Sequence, residues 1–187
     1  MSRNSASQEM VMLDLETLGT HVFTAPMISL GAVKFLPNGE ITDRFKVNVS
    51  PQDLVKNYHF KAEKGTIEWW KKQDPQAIAA LQDNQQLLVD AIDQFLEWYG
   101  TKSLRTWANG IDFDFPILKS HILAVGKVLP WKYWDQADYR TVCNIFGVNN
   151  KEMRSKSTDN IYHDAVADCI GQVEILTTIL KPLWVEE

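Results

Sequence analysis

Asp14 and Glu16 close the apolar run Val11-Met-Leu-Asp-Leu-Glu16, and residues two apart on a strand point to the same face. Two carboxylates side by side at the end of a buried strand repel each other and are costly to bury unless cations neutralise them. A divalent metal is the usual remedy, and a donor set made only of oxygen favours Mg²⁺ or Mn²⁺. On its own an Asp-x-Glu pair is a weak signal, because one solvated acid and one turn-capping acid give the same pattern.

Two other segments carry acids where apolar elements would not otherwise want them. Trp107-Ala-Asn-Gly-Ile-Asp-Phe-Asp-Phe-Pro-Ile-Leu118 runs from a strand through a turn into a helix, with Asp112 and Asp114 at the junction. An Asp just ahead of a helix commonly accepts backbone N–H bonds, and capping is the plain reading of Asp112. Asp114, wedged between Phe113 and Phe115, needs a stronger reason to be there. In Tyr162-His-Asp-Ala-Val-Ala-Asp168, His163 stands at a helix entrance and Asp168 lies five residues later, more than one turn inside. A lone histidine is more often a capping or core residue. His163 is nonetheless the one residue type here that takes a proton near neutral pH.

Together these are four carboxylates and one histidine, drawn from two strands, a turn and a helix. That set suffices for a two-metal phosphoryl-transfer site, in which ions roughly 3.5–4 Å apart clamp the attacking water and the leaving 3′ oxygen. His163 would then remove the water's proton.

The elements that must position these residues are legible in part. Val11–Glu16, Met27–Leu36 and Arg44–Val49 read as strands, the second closed by the turn signal Pro37-Asn-Gly39, and short turns between them predict an antiparallel meander. Asp74-Pro75 reads as a helix start. Leu87, Leu88, Ala91, Ile92, Phe95 and Trp98 form one apolar helix face that ends at Gly100. Leu104–Ala108 reads as a strand, Pro116–Val125 as a helix, Trp131–Trp134 as a short strand and Tyr139–Phe146 as a short helix. A last long helix carries Ala165, Cys169, Val173, Leu176 and Ile179. Strands first, then helices interleaved with strands, imply a mixed sheet with helices on its faces.

Composition narrows the class. The chain has 187 residues, 45% hydrophobic and 23% charged, which suits one folded domain and excludes a disordered chain. We expect residues 1–9 to be a flexible polar lead-in and 10–187 a single domain, with no repeat or linker to divide it. No stretch approaches the 18 or so apolar residues of a membrane span, and the N-terminus lacks a secretory signal's apolar core. Cys143 and Cys169 are too few for a disulfide framework and read as buried thiols, which fits a reducing cytoplasm. The net charge of −5 argues against a broad basic coat for nucleic acid. Setting aside Asp14, Glu16, Asp114 and Asp168 leaves only −1, so the deficit is mostly the acid constellation, and two divalent ions would offset it.

The ordered set Asp14-x-Glu16, Asp114, His163-x4-Asp168 resembles the DEDDh 3′→5′ exonucleases, which include proofreading subunits, RNase T and oligoribonuclease. The resemblance spans about Met12 to Ile175. Thr66-Ile-Glu-Trp-Trp70, Asn109-Gly-Ile-Asp-Phe-Asp-Phe-Pro-Ile-Leu118 and His163-Asp-Ala-Val-Ala-Asp168 are closer to the phage-type DexA exonucleases and the polyadenylate-trimming RNase AS branch. The resemblance implies a ribonuclease H-like α/β fold: a five-stranded mixed sheet with one antiparallel strand, flanked by helices. It implies that Asp14, Glu16, Asp114 and Asp168 hold two Mg²⁺ or Mn²⁺ ions, with His163 as general base. The chain departs from the pattern in carrying Asp112 as a second acid two residues before Asp114.

The implied reaction removes nucleoside 5′-monophosphates from the 3′ ends of single-stranded DNA, with RNA tails as the alternative and monomer or homodimer equally open. Leu18, after Thr17, matches the position that wedges against the terminal base in relatives. Trp69 and Trp70 are adjacent in a helical stretch, so one should face the core and one the substrate. Asn109 either positions substrate or holds the turn at Gly110. Lys71, Lys72, Arg140, Lys151 and Arg154 are candidate phosphate contacts, although for each taken singly a plain solvated cation is the stronger reading. A non-catalytic nucleic-acid-binding module of the same fold would be expected to have lost at least one of the five motif residues, and none is replaced.

Overall fold

The computed structural model describes residues 8–148 and 164–183. β1 (Met10–Thr17), β2 (Met27–Phe35) and β3 (Ile41–Asn48) form the expected meander, each antiparallel to the next. The turn after β2 closes through Gly39, whose φ of 91° suits a residue without Cβ and whose N–H donates to Leu36 O at 2.9 Å. Helices α1 (Pro51–Tyr58), α2 (Lys64–Trp70), α3 (Pro75–Gln82) and α4 (Leu88–Tyr99) follow. β4 (Arg105–Ala108) then pairs parallel to β1, and after α5 (Asp114–Ala124) strand β5 (Gln136–Asp138) pairs parallel to β4. α6 (Tyr139–Ile145) and α7 (Ala165–Leu180) complete the order. The sheet runs β3-β2-β1-β4-β5, with β2 as the one strand directed against the rest.

The period-two alternation of β1 sorts its side chains between two cores. Val11, Leu13 and Leu15 pack on one face with Leu88, Ile92 and Phe95 of α4 and Leu118 of α5. Met10 and Met12 pack on the other with Tyr139 and Cys143 of α6 and Cys169, Val173 and Leu176 of α7. Both cysteines are buried free thiols, as expected. Helices therefore cover both faces, and the even-numbered face of β1, which carries Asp14 and Glu16, is the one beneath α7.

Three expectations change. Trp131–Trp134 is not a strand: Trp131 is a buried ring, Tyr133–Asp135 form a 3₁₀ turn, and the edge strand begins only at Gln136. Ser103 causes this, since its Oγ accepts from Lys132 N–H at 2.9 Å and donates to Asp135 Oδ2 at 2.7 Å, closing the turn. α5 starts at Asp114, two residues before Pro116, because a proline in the first helical turn removes an N–H that has no helical partner there. α1 went unrecognised, although Ser50-Pro51 is the same start signal as Asp74-Pro75: Ser50 accepts from Asp53 N–H, and Asp74 from Gln76 N–H. Among the described residues no helix is long and apolar enough to cross a membrane.

Candidate active site

α7 comes unusually close to the sheet, and one glycine permits it. A Cβ on Gly31, the β2 residue opposite Asp14, would lie 2.5 Å from the carbonyl carbon of Ala165. With no side chain there, the start of α7 settles directly on β2. Asp164 caps this helix by accepting from Val166 and Ala167 N–H, both at 3.0 Å, and Lys46 of β3 ties Asp164 down with an ion pair at 2.6 Å. One turn inside, Asp168 then faces the even side of β1.

The outcome is a cluster in which Asp14, Glu16 and Asp168 each bring a carboxylate oxygen within 4.8 Å of the others. Gln172, one turn beyond Asp168 on the same helix face, donates from Nε2 to Asp14 Oδ1 at 3.2 Å. It is wholly buried, and its spacing from Asp168 was the only sequence signal that could have singled it out. Asp114 stands at the first position of α5, 4% exposed, with Oδ2 accepting from Gly110 N–H at 3.4 Å. Asp112 does not cap α5. It is exposed, and the capping position belongs to Phe113, which makes no side-chain cap bond.

The electrostatics separate the two buried acids. Burial, followed by the charges of Asp14, Asp168, Asp114 and Asp164, pushes Glu16 up to about 10. Every charge named there is negative. Burial also raises Asp114, to about 7, but backbone hydrogen bonds from Gly110, Asp114 itself and Leu15, together with the Arg140 guanidinium, hold it down. A buried, oxygen-only donor set whose charges repel fits hard divalent cations. Asp14, Glu16 and Asp168 would hold such ions, with Asp114 beside them.

The expected substrate contacts divide. Trp70 is the core member of its pair, 7% exposed, and its Nε1 donates to Thr17 O at 2.9 Å. Trp69, 43% exposed, lines a cleft of ≈ 450 Å³ together with Glu16, Thr17, Thr66 and Phe113. Leu18 lines a neighbouring apolar cavity of ≈ 200 Å³ that shares Trp70 as a wall. The register shift between Glu16 and Thr17 explains this, because it ends the strict alternation that would keep Leu18 beside the acids. Asn109, at the end of β4, is half-buried, and its Oδ1 has no hydrogen-bond partner among the described residues. Lys71 pairs with Glu68 at 2.8 Å and Lys72 is exposed. Glu63, which sequence reasoning passed over, fixes the loop after β1 by accepting from Thr20 N–H at 2.9 Å and His21 N–H at 3.0 Å. His163, Lys151 and Arg154 lie outside the described residues.

Comparison with known proteins bears on the fold and the family. The chain is 28% identical over 202 residues to the exodeoxyribonuclease of Enterobacteria phage T4, an alignment covering 91% of this chain and 88% of that enzyme. Its fold matches E. coli exonuclease I in a metal-free complex with single-stranded DNA, with TM-score 0.72, 12% identity and 95% of this chain covered. The chain spans only 41% of exonuclease I. The nuclease domain of 3′hExo, a DEDDh family member bound to rAMP, matches with TM-score 0.65 and 14% identity, covering 94% of this chain and 92% of that one. The family model described as the 3′-5′ exoribonuclease Rv2179c-like domain matches residues 9–180, and the chain accordingly belongs to this Rv2179c-like family of 3′-5′ exonucleases.

Proposed function

We propose that this exonuclease releases nucleoside 5′-monophosphates from single-stranded 3′ ends, DNA foremost, with two divalent cations, Mg²⁺ or Mn²⁺, and that residues 10–187 act as one catalytic domain in the cytoplasm. The observation that carries the reading is the convergence of Asp14, Glu16 and Asp168 within 4.8 Å, with Asp114 buried alongside. Cations held by these four acids would supply the positive charge that activates water and stabilises the leaving 3′ oxygen. Asp14 and Glu16 are oriented by β1, Asp168 by α7 and Asp114 by the start of α5, so three elements fix the donors before substrate arrives. His163, five residues before Asp168, is assigned the role of taking the proton from the attacking water. Trp69 offers its exposed face to the terminal base, Thr17 lines the same cleft, and Trp70 supports it through Thr17 O; Leu18 and Asn109 are assigned to substrate positioning from just outside it.

DNA is placed first because the phage exodeoxyribonuclease aligns over 91% of the chain. RNA 3′-tail trimming is the second reading, favoured by the description of the matching family. Incubation with end-labelled single-stranded DNA, single-stranded RNA and duplexes, in Mg²⁺, Mn²⁺ or chelator, tests both. The expected result is stepwise shortening from the 3′ end that stops in chelator and is faster on single-stranded DNA. Activity surviving chelation, or fragments arising from internal cuts, would overturn the reading.

A further inference from the structure

Tyr133 and Trp134 are 80% and 53% exposed, although the segment carrying them is held tightly. Next to them Trp131 is buried among the rings of Phe95, Tyr99 and Phe115, with centroids 6.4, 5.6 and 5.6 Å away. Ser103 bonds the turn at both Lys132 and Asp135, and β5 begins immediately afterwards. Two aromatic rings kept in water on a rigid turn forgo burial without gaining conformational freedom, which is how preorganised contact surfaces are built.

Tyr133 forms one wall of a groove of ≈ 320 Å³ whose other walls include Ile111, Phe115, Lys119, Leu129 and Gln136. The rim is basic. Lys132 Nζ lies 5.3 Å from the ring centroid of Trp134, Lys119 lies in the groove itself, and neither lysine forms a salt bridge among the described residues. The groove also abuts the catalytic cleft, since Ile111 lines the one and Phe113, two residues on in the same turn, lines the other. Asp138 fixes that shared wall by accepting from Ile111 N–H at 2.7 Å while its other oxygen accepts from Thr141 N–H at 2.6 Å. Asp114 and Lys119 are five positions apart on α5, about 7.5 Å of axial rise, so the groove starts close to the acids.

We propose that this groove binds the stretch of single-stranded nucleic acid on the 5′ side of the scissile phosphate, with bases stacking on Tyr133 and Trp134 and phosphates meeting Lys119 and Lys132. The proposal rests on the exonuclease reading above. Aromatic faces accept any base, and lysines at the rim neutralise backbone phosphates, so the groove grips without reading sequence. Lysines that form no salt bridge among the described residues, and the wall shared with the cleft, favour a polyanion over an apolar protein partner.

The test uses the full chain and two assays. One follows cleavage, in Mn²⁺, of a dinucleotide and of a single strand of about twelve nucleotides, where base–aromatic stacking is worth about tenfold in affinity. The other follows anisotropy of the labelled longer strand in chelator, which reads the groove without catalysis. Tyr133→Ala is expected to raise KM for the long strand and weaken its binding about tenfold, leaving the dinucleotide unchanged. Lys132→Glu should flatten the salt dependence of binding by about 0.7 in log–log slope for each phosphate no longer neutralised. Equal effects on both substrates, or no effect on either assay, would overturn the groove. A change in sedimentation with binding untouched would do the same by making the patch a protein interface. Wild-type protein that binds the strand but cleaves neither substrate would overturn the exonuclease reading instead.

Discussion

Buried ionisable groups lie on both sides of the sheet, and the protein treats them in opposite ways. Beneath α4 and α5, His121 is wholly buried, accepts from Met27 N–H at Nε2 (3.0 Å), donates from Nδ1 to Ile117 O (2.8 Å) and stacks on Phe60 at 3.9 Å. Asp53, 7% exposed, accepts from Asn57 Nδ2 and from Leu88 N–H, both at 2.7 Å, and so caps α4 from a distance. Beneath α7, Glu16 is equally buried, yet among the described residues the charges that shift it are all carboxylates. A buried polar group whose partners come from the same chain is architecture. One surrounded by like charge has been left for something outside the chain to complete. On the proposed reading, the contrast marks the working side of the sheet without reference to any motif.

The largest expected effect attacks that side. Asp114→Ala and Glu16→Gln should each lower nuclease activity by at least about 10³-fold in a steady-state assay, the scale seen when a residue of a cooperating catalytic set is removed. Their effects on stability sharpen the comparison. In chelator near neutral pH, Glu16→Gln should raise Tm, because the wild-type carboxyl, pushed up to about 10, has to take up a proton on folding whereas the amide does not. His121→Ala should instead cost about 3–5 kcal/mol through its cavity and the orphaned Met27 N–H. Destabilisation by both substitutions in urea titrations would erase the distinction.

The histidine also predicts a pH window. Burial holds His121 down to about 4, against 6.5 when unfolded. Between these values the unfolded chain binds the extra proton and the folded one does not, so stability rises with pH across the window. The contribution is fully present above about 6.5 and is lost as pH falls towards 4, on the order of 3 kcal/mol in total. Subtracting the urea-unfolding profile of His121→Gln from that of the wild type should isolate this slope, and parallel profiles would exclude it.

Added Mn²⁺ should raise the Tm of the wild type by ligand linkage and leave that of Glu16→Gln nearly unmoved, a difference readable by differential scanning fluorimetry. The smallest effect is reserved for Asp112→Ala. Exposed, and not the cap of α5, Asp112 should leave cleavage measurable and stability within about 0.5 kcal/mol. A drop matching that of Asp114→Ala would reverse the assignment of the two acids.

The amino-acid sequence by itself determined much that depends on neighbours along the chain. The alternation of Val11-Met-Leu-Asp-Leu-Glu16 placed both acids on one strand face, the three- and four-residue steps from Leu87 to Trp98 marked α4, and the order of acids with His163 pointed to the family and its fold. These signals are periodic or local, and local rules survive folding. Tertiary structure alone decided which of Trp69 and Trp70 meets solvent, that Asp114 is buried while Asp112 is not, and that Ser103 bends the Tyr133 segment out of the sheet. It also decided that Gly31 admits α7, so that Asp168 reaches Asp14 and Glu16 and Gln172 can hold Asp14. Each of these outcomes depends on contacts between residues far apart in sequence. A glycine, a serine or a glutamine becomes decisive there through what the fold brings against it, and nothing in its own neighbourhood of the chain announces that role.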